Sequence, residues 1–280
     1  VYRTAGPAGI VIFKAILMTV TFTIILFLAW QRSNFFIASL VTTFGILIVR
    51  FRFLDRPELV TFLGCALFLW ILDKYSTNKS PLGKGGAGDF GYLFWILPIT
   101  LIWINLHIGY VFGLSLLLIT CSGKLFEYYI HYRKIPSASS PAKGEFKWGL
   151  IPIKKLILVT GLSFLISLIN PEFCLYLADL TSHFGLFQQM QISEFAPSTL
   201  SNQPLFYIYL GLSGFFVLIK IKKFSLAELI SAAVFVILAI SSLRFIPLAI
   251  IITIPACCAA INAILGNRFF RKRRSLELIP

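Results

Sequence analysis

The chain has 280 residues, 58% of them hydrophobic and 13% charged, with a formal net charge of +14. So little charge excludes an ordinary water-soluble domain, where about a quarter of residues are charged, and predicts an all-α polytopic transmembrane bundle. The positive balance then marks Lys- and Arg-rich loops on a cytoplasmic face; it does not call for a nucleic-acid partner.

Nine apolar runs approach the roughly 20 residues that a helix needs to cross a bilayer. They are 8–30, 34–50, 58–72, 91–106, 108–128, 150–169, 204–220, 226–243 and 246–265. The fifth carries Lys124 and Glu127 in its last turns, where a long basic stem can snorkel to the interface. All nine are too long and too evenly apolar for barrel strands. None reads as a cleavable signal peptide, and apolar runs recur to the end of the chain. Four of the five cysteines fall inside these runs and only Cys174 lies in an exterior loop, which argues against a disulfide framework.

Orientation follows from the basic residues. The tail "RFFRKRR" places the C-terminus in the cytoplasm, and alternation of spans assigns the rest. Lys220, Lys222 and Lys223, the 124–155 loop, Lys74, Lys79, Lys84 and Arg32 then fall inside with the tail. That makes 19 inside against 5 outside: Arg3, Arg50, Arg52, Arg56 and Arg244. Nine spans with an inner C-terminus put Val1 outside. The expectation is that upstream sequence with at least one more span is missing. A processed chain with an exterior N-terminus is the alternative.

Between spans six and seven, 170–203 is an exterior loop without Lys or Arg. Asn170, Pro171 and Glu172 suit a helix start. Phe173, Leu177, Leu180, Phe184 and Phe187 then form one apolar stripe. An amphipathic interfacial helix is expected there, either roofing a cleft or packing against neighbouring spans.

The polar features of interest share the exterior side. "RFRFLDRPE" (50–58) holds Arg50, Arg52 and Arg56 beside Asp55 and Glu58. It reads either as local ion pairs in a solvated turn, or as guanidinium forks for an anionic headgroup. "WINLHIG" (103–109) carries Asn105 and His107 beside Trp103. "ISEFAPS" (192–198) offers Glu194, and "SSLRFIP" (241–247) sets Arg244 at a span end, paired or snorkelling. An exterior cleft lined by Arg50, Arg52, Arg56, Asn105, His107, Glu194 and Arg244 would suit a phosphate-bearing lipid. The inner loops, including the glycine-rich "TNKSPLGKGGAGDFG" (77–91), read as linkers; the latter lacks the Gly-Lys-Ser/Thr ending of a nucleotide loop. No cofactor is evident, and whether a divalent metal takes part stays open.

Six stretches then carry a resemblance across nearly the whole chain: "GPAGIVIFKAIL" (6–17), "DRPELVTFLGCALFLW" (55–70), "LPITLIWINLHIGYVFGLSLLL" (97–118), "LISLINPEF" (165–173), "ISEFAPS" (192–198) and "LRFIPLAIIITIP" (243–255). In this order they resemble a group of bacterial polytopic proteins similar to GT-C-type, polyprenyl-phosphate-sugar-dependent glycosyltransferases. Arg56-Pro57, Trp103 to His107, Asn170-Pro171, Glu194 and Arg244 match its pattern. Ile108 departs where Gly is usual, as does Phe195-Ala196-Pro197 where a Trp-containing form is usual. The resemblance implies a bacterial inner-membrane protein that transfers sugar from a lipid-linked donor at the exterior leaflet. It implies phosphate-binding roles for Arg56 and Arg244, with Arg50 and Arg52 as helpers. Asn105, His107 and Glu194 would orient sugar or acceptor. It also implies that the catalytic carboxylate, carried in the first exterior loop of such enzymes, precedes Val1. The competing expectations are a non-catalytic membrane subunit with a protein partner, or a transporter of lipid-linked material.

Overall fold

A computed structural model describes residues 2–53, 56–77, 91–133, 143–170 and 193–266. The regular elements are helical, and no strand occurs among the described residues. In chain order they are α1 (Tyr2–Arg32), α2 (Phe35–Val49), α3 (Glu58–Thr77), α4 (Ile96–Ile104), α5 (Tyr110–Arg133), α6 (Lys143–Ser167), α7 (Pro204–Ile219), α8 (Leu226–Ser241) and α9 (Ile246–Ile261). Short 3₁₀ turns at Arg50–Arg52, Gly91–Trp95, Ser193–Phe195, Ile221–Lys223 and Leu243–Phe245 join or extend them. The amphipathic helix expected after Asn170 lies outside the described residues.

Local chemistry sets the helix ends. Gly6, at φ 59°, breaks α1 just before Pro7, so the long straight part starts where the sequence first allows it. The Asn34 side chain caps α2 by accepting from the Ile37 amide at 2.9 Å. Ser225 and Glu228 form a reciprocal capping box at the start of α8. Pro204 begins α7 at a position where its missing N–H costs nothing.

Five helical stretches are long and apolar enough to cross a membrane: Gly6–Arg32, Phe35–Arg52, Glu58–Ser76, Tyr110–Ile130 and Leu243–Leu265. These meet the first, second, third, fifth and ninth expected spans. Gly91–Ile104, Pro204–Ile219 and Leu226–Ser241 are shorter apolar helices at the fourth, seventh and eighth. A 16-residue helix such as α7 is about 24 Å long, against a hydrocarbon core of about 30 Å. Those helices stop early because a 3₁₀ turn or a cap intervenes, so nine full-length spans is a finer count than the helices alone give. The sixth expected span, 150–169, overlaps α6 and runs past its end at Ser167.

The packing is centred on α9. Most of this helix is buried, from Ile246 to Ala260, against α1, α2, α3, α7 and α8. A helix apolar on every side is stable only when fully surrounded by apolar neighbours. The outer helices show the converse. On α1, Val11, Ile12, Phe13 and Ile16 are exposed, and on α7 Leu212, Phe215 and Leu218 are. Continuous apolar stripes of this size face lipid rather than water. Trp103 of α4 is buried between two glycines. A Cβ on Gly64 of α3 or on Gly113 of α5 would come within 2.6 Å of its ring. Small residues at these places let three helices close on one indole.

Alternating helix directions give the bundle two ends. One gathers Arg32, Asp73, Glu127 and Glu228 with the lysines of 220–223. The other gathers Arg52, Glu58, His107, Glu194 and Arg244.

Candidate anion site at the arginine end

The site is assembled from five segments. The 3₁₀ turn after α2 supplies Arg52, and the start of α3 supplies Glu58 and Thr61. The α4–α5 turn supplies His107. The 193–198 segment and the α8–α9 junction supply Glu194 and Arg244. These last two are stitched together: the Leu243 amide donates to the Ala196 carbonyl at 3.0 Å, the Ser198 amide to Ile240 at 3.0 Å, and Ser242 Oγ to the Glu194 carbonyl at 2.9 Å.

Arg52 is 3% exposed, so it is a buried charge and needs partners. Its Nη2 donates to both Glu58 carboxylate oxygens, at 2.5 and 2.7 Å, and its Nη1 lies 3.3 Å from Glu194 Oε2. Its Nε is buried without a partner among the described residues. Arg56 is more open and pairs with the other Glu194 oxygen. Glu194 therefore bridges two guanidinium groups. Burial opposes its ionised form, but the Arg56 hydrogen bond and both positive charges outweigh this and hold its pKa below the usual value. The Glu194 partner in turn raises that of Arg56.

Arg244 is half-buried, packed over the Phe195 ring at 4.9 Å and the Phe245 ring at 5.6 Å. It makes no ion pair among the described residues, although Glu58, Glu194, Arg52 and Arg56 are near enough to act on its charge. Three guanidinium groups thus share the site with two carboxylates. Among the described residues this leaves Arg244 without a carboxylate paired to it; Asp55, between Arg52 and Arg56, lies outside the described residues.

His107 is fixed by its Nδ1, which accepts from Thr61 Oγ1 at 2.8 Å and from the Gly109 amide at 3.0 Å. A neutral ring so held carries its proton on Nε2, which has no partner among the described residues. Burial, then the Arg244 charge, push the His107 pKa below 6.5 and keep the ring neutral. Gly109 is required here. A Cβ would collide with Thr61 Oγ1 and lie 2.8 Å from Nδ1.

The seven residues singled out from sequence divide accordingly. Arg52, Arg56, His107, Glu194 and Arg244 meet at this end. Arg50 is exposed in the same turn, with no partner among the described residues. Asn105 is exposed too, and its amide donates to the Leu101 carbonyl at 2.7 Å, finishing its own helix. Within "RFRFLDRPE" the Arg52–Glu58 pair is buried, not solvated, because the 3₁₀ turn folds Arg52 back under α3. Asn170 donates from Nδ2 to the Ile104 carbonyl at 2.9 Å, tying the end of α6 to α4. Thr61 was not legible in advance. It sits 46 positions from His107 in an apolar run, where a threonine gives no signal. No group of three His, Cys, Asp or Glu residues able to hold a metal occurs among the described residues.

Fold and site together are compatible with an integral membrane protein of helical-bundle architecture carrying a cluster of arginines and carboxylates at one end. Comparison with protein-family models, characterised proteins and solved structures finds no match.

Proposed function

We propose that this protein spans the bacterial inner membrane with nine helices, its lysine-rich end and C-terminus in the cytoplasm, and handles a polyprenyl-phosphate-linked sugar at the exterior leaflet. The observation that carries this reading is Arg244: a half-buried guanidinium without a carboxylate partner among the described residues, beside a network that already neutralises Arg52. Guanidinium forks match phosphate oxygens bidentately. In this reading a lipid phosphate is held by Arg244, and the neutral His107 offers an Nε2–H donor beside it. Sugar transfer itself rests on the resemblance to GT-C-type enzymes. In that chemistry Arg244 and Arg56 stabilise the charge that develops on the departing phosphate. Glu194, held ionised by two arginines, is a poor general base; it positions them instead.

A second reading has its own observation. Arg52 is already held by Glu58 and Glu194, an arrangement that can serve purely to lock 193–198 onto the bundle. That favours a non-catalytic membrane subunit. The transporter reading gains nothing comparable, since the two ionic clusters sit at opposite ends with an apolar core between them.

Retention of a polyprenyl phosphate by the purified protein, with the parent polyprenol as control, tests the proposal. Hydrogen bonds to charged groups contribute about 1.5–3 kcal/mol, so Arg244→Gln should weaken phosphate-lipid retention by about ten- to a hundredfold. Unchanged retention in that variant, or equal retention of the alcohol, would remove the site from the mechanism.

A further inference from the structure

The helices α7 and α8 form a hairpin through residues 220–225. Both pack along α9, yet they make little contact with each other. Between them lies a groove of about 240 Å³, walled by Leu210, Gly214, Ala233 and Val236 and floored by Thr253 and Ala256. Its surface is apolar even at the floor, because the Thr253 hydroxyl is taken up by the Ala249 carbonyl at 2.6 Å and by Tyr209 at 2.8 Å. A Cβ added to Gly214 would meet nothing within 4 Å. Small residues here leave space instead of bringing helices together.

The groove has a direction and a charge. Along α8 it runs from Glu228 to Val236, about 12 Å at 1.5 Å per residue. That is close to the depth of one leaflet, about 15 Å or half the hydrocarbon core. The connecting turn at its mouth carries Lys220, Lys222 and Lys223, the last two exposed. None of the three makes an ion pair among the described residues. Glu228, the acid that lines the groove, is engaged by Arg32 and by Ser225, and Glu127 nearby pairs with Lys124, so both charges are offset.

We infer that this groove is a binding site for an anionic phospholipid of the leaflet on the lysine side, with one acyl chain between α7 and α8 and the phosphate on the lysines of the 220–223 turn. A partner helix is the poorer occupant. It would need a trough along the whole span, whereas this one ends near mid-depth. The site is independent of the arginine cluster at the other end of the bundle.

The test uses the full chain in detergent, offered phosphatidylglycerol or phosphatidylcholine with the same acyl chains, and retained lipid is counted by native mass spectrometry. Phosphatidylglycerol should be retained in preference. Replacing Lys220, Lys222 and Lys223 by Gln should lower its retention by about tenfold or more. Gly214→Leu, which fills the groove where there is room, should lower retention of both lipids and leave thermal unfolding unchanged. Equal retention of the two lipids, or retention untouched by both groove variants, would overturn the assignment. So would a loss of dimer in Gly214→Leu without loss of lipid, which would seat a second copy in the groove.

Discussion

Arg244 and His107 are where individual charges decide the chemistry. The His107 ring is kept neutral by burial and by the Arg244 charge. Removing that charge by Arg244→Gln should raise the His107 pKa toward 6.5, readable by NMR titration of the ring; an unchanged pKa would mean that the two do not face each other. The sign of the stability effect is fixed by the same shift. A His whose folded pKa is depressed contributes stability above the unfolded value, and that contribution is lost as pH falls through the folded pKa. Acidification below about pH 6.5 should therefore lower the melting temperature in detergent, and His107→Gln should flatten that slope. The buried Arg52–Glu58 pair gives a second prediction. Glu58→Gln strands a buried guanidinium with only Glu194 beside it and should cost about 3 kcal/mol. The double change Arg52→Met with Glu58→Leu should cost less than Glu58→Gln alone. A larger loss in the double variant would show that the pair does more than balance its own charge.

Among the elements, α3, α4 and α5 close tightly around one indole. Trp103 fills the space that Gly64 and Gly113 leave, with the Phe68 ring edge-on at 5.5 Å. Gly113→Ala should overpack this contact and cost about 1–3 kcal/mol in thermal melting, whereas Gly214→Ala, with open space around it, should be close to neutral. A neutral Gly113→Ala would contradict the packing. Helix existence was legible in the sequence because apolar runs of membrane length leave few alternatives. The lengths were less so. At α7 and α8 the runs 204–220 and 226–243 continue into 3₁₀ turns, and hydropathy does not register where a helix tightens or stops. The site was legible in part. Arg56 and Arg244 stood out as charges at span ends, and Glu194 as a carboxylate in the 170–203 loop. Glu58 was visible only as a turn partner, and burial made it more. The ionic cluster of Arg32 with Asp73 and Glu228 was not foreseen at all. Its members come from three helices, 41 and 196 positions apart, and each alone looks like a solvated helix end.

At the scale of the whole molecule, the account depends on the two ends of the bundle facing different compartments. Charge distribution alone makes that assignment, since lysines accumulate at one end and the arginine cluster at the other. Single cysteines report it directly. Cys65, Cys121, Cys257 and Cys258 are buried, and Cys174 can be replaced by Ser to clear the background. With Ser201→Cys at the arginine end and Lys222→Cys at the lysine end, both at exposed positions, an impermeant thiol reagent applied to intact cells should label Cys at 201 and spare Cys at 222 until the membrane is permeabilised. Labelling of both from the same side, or of the lysine end first, would contradict the exterior phosphate site and with it the proposed function.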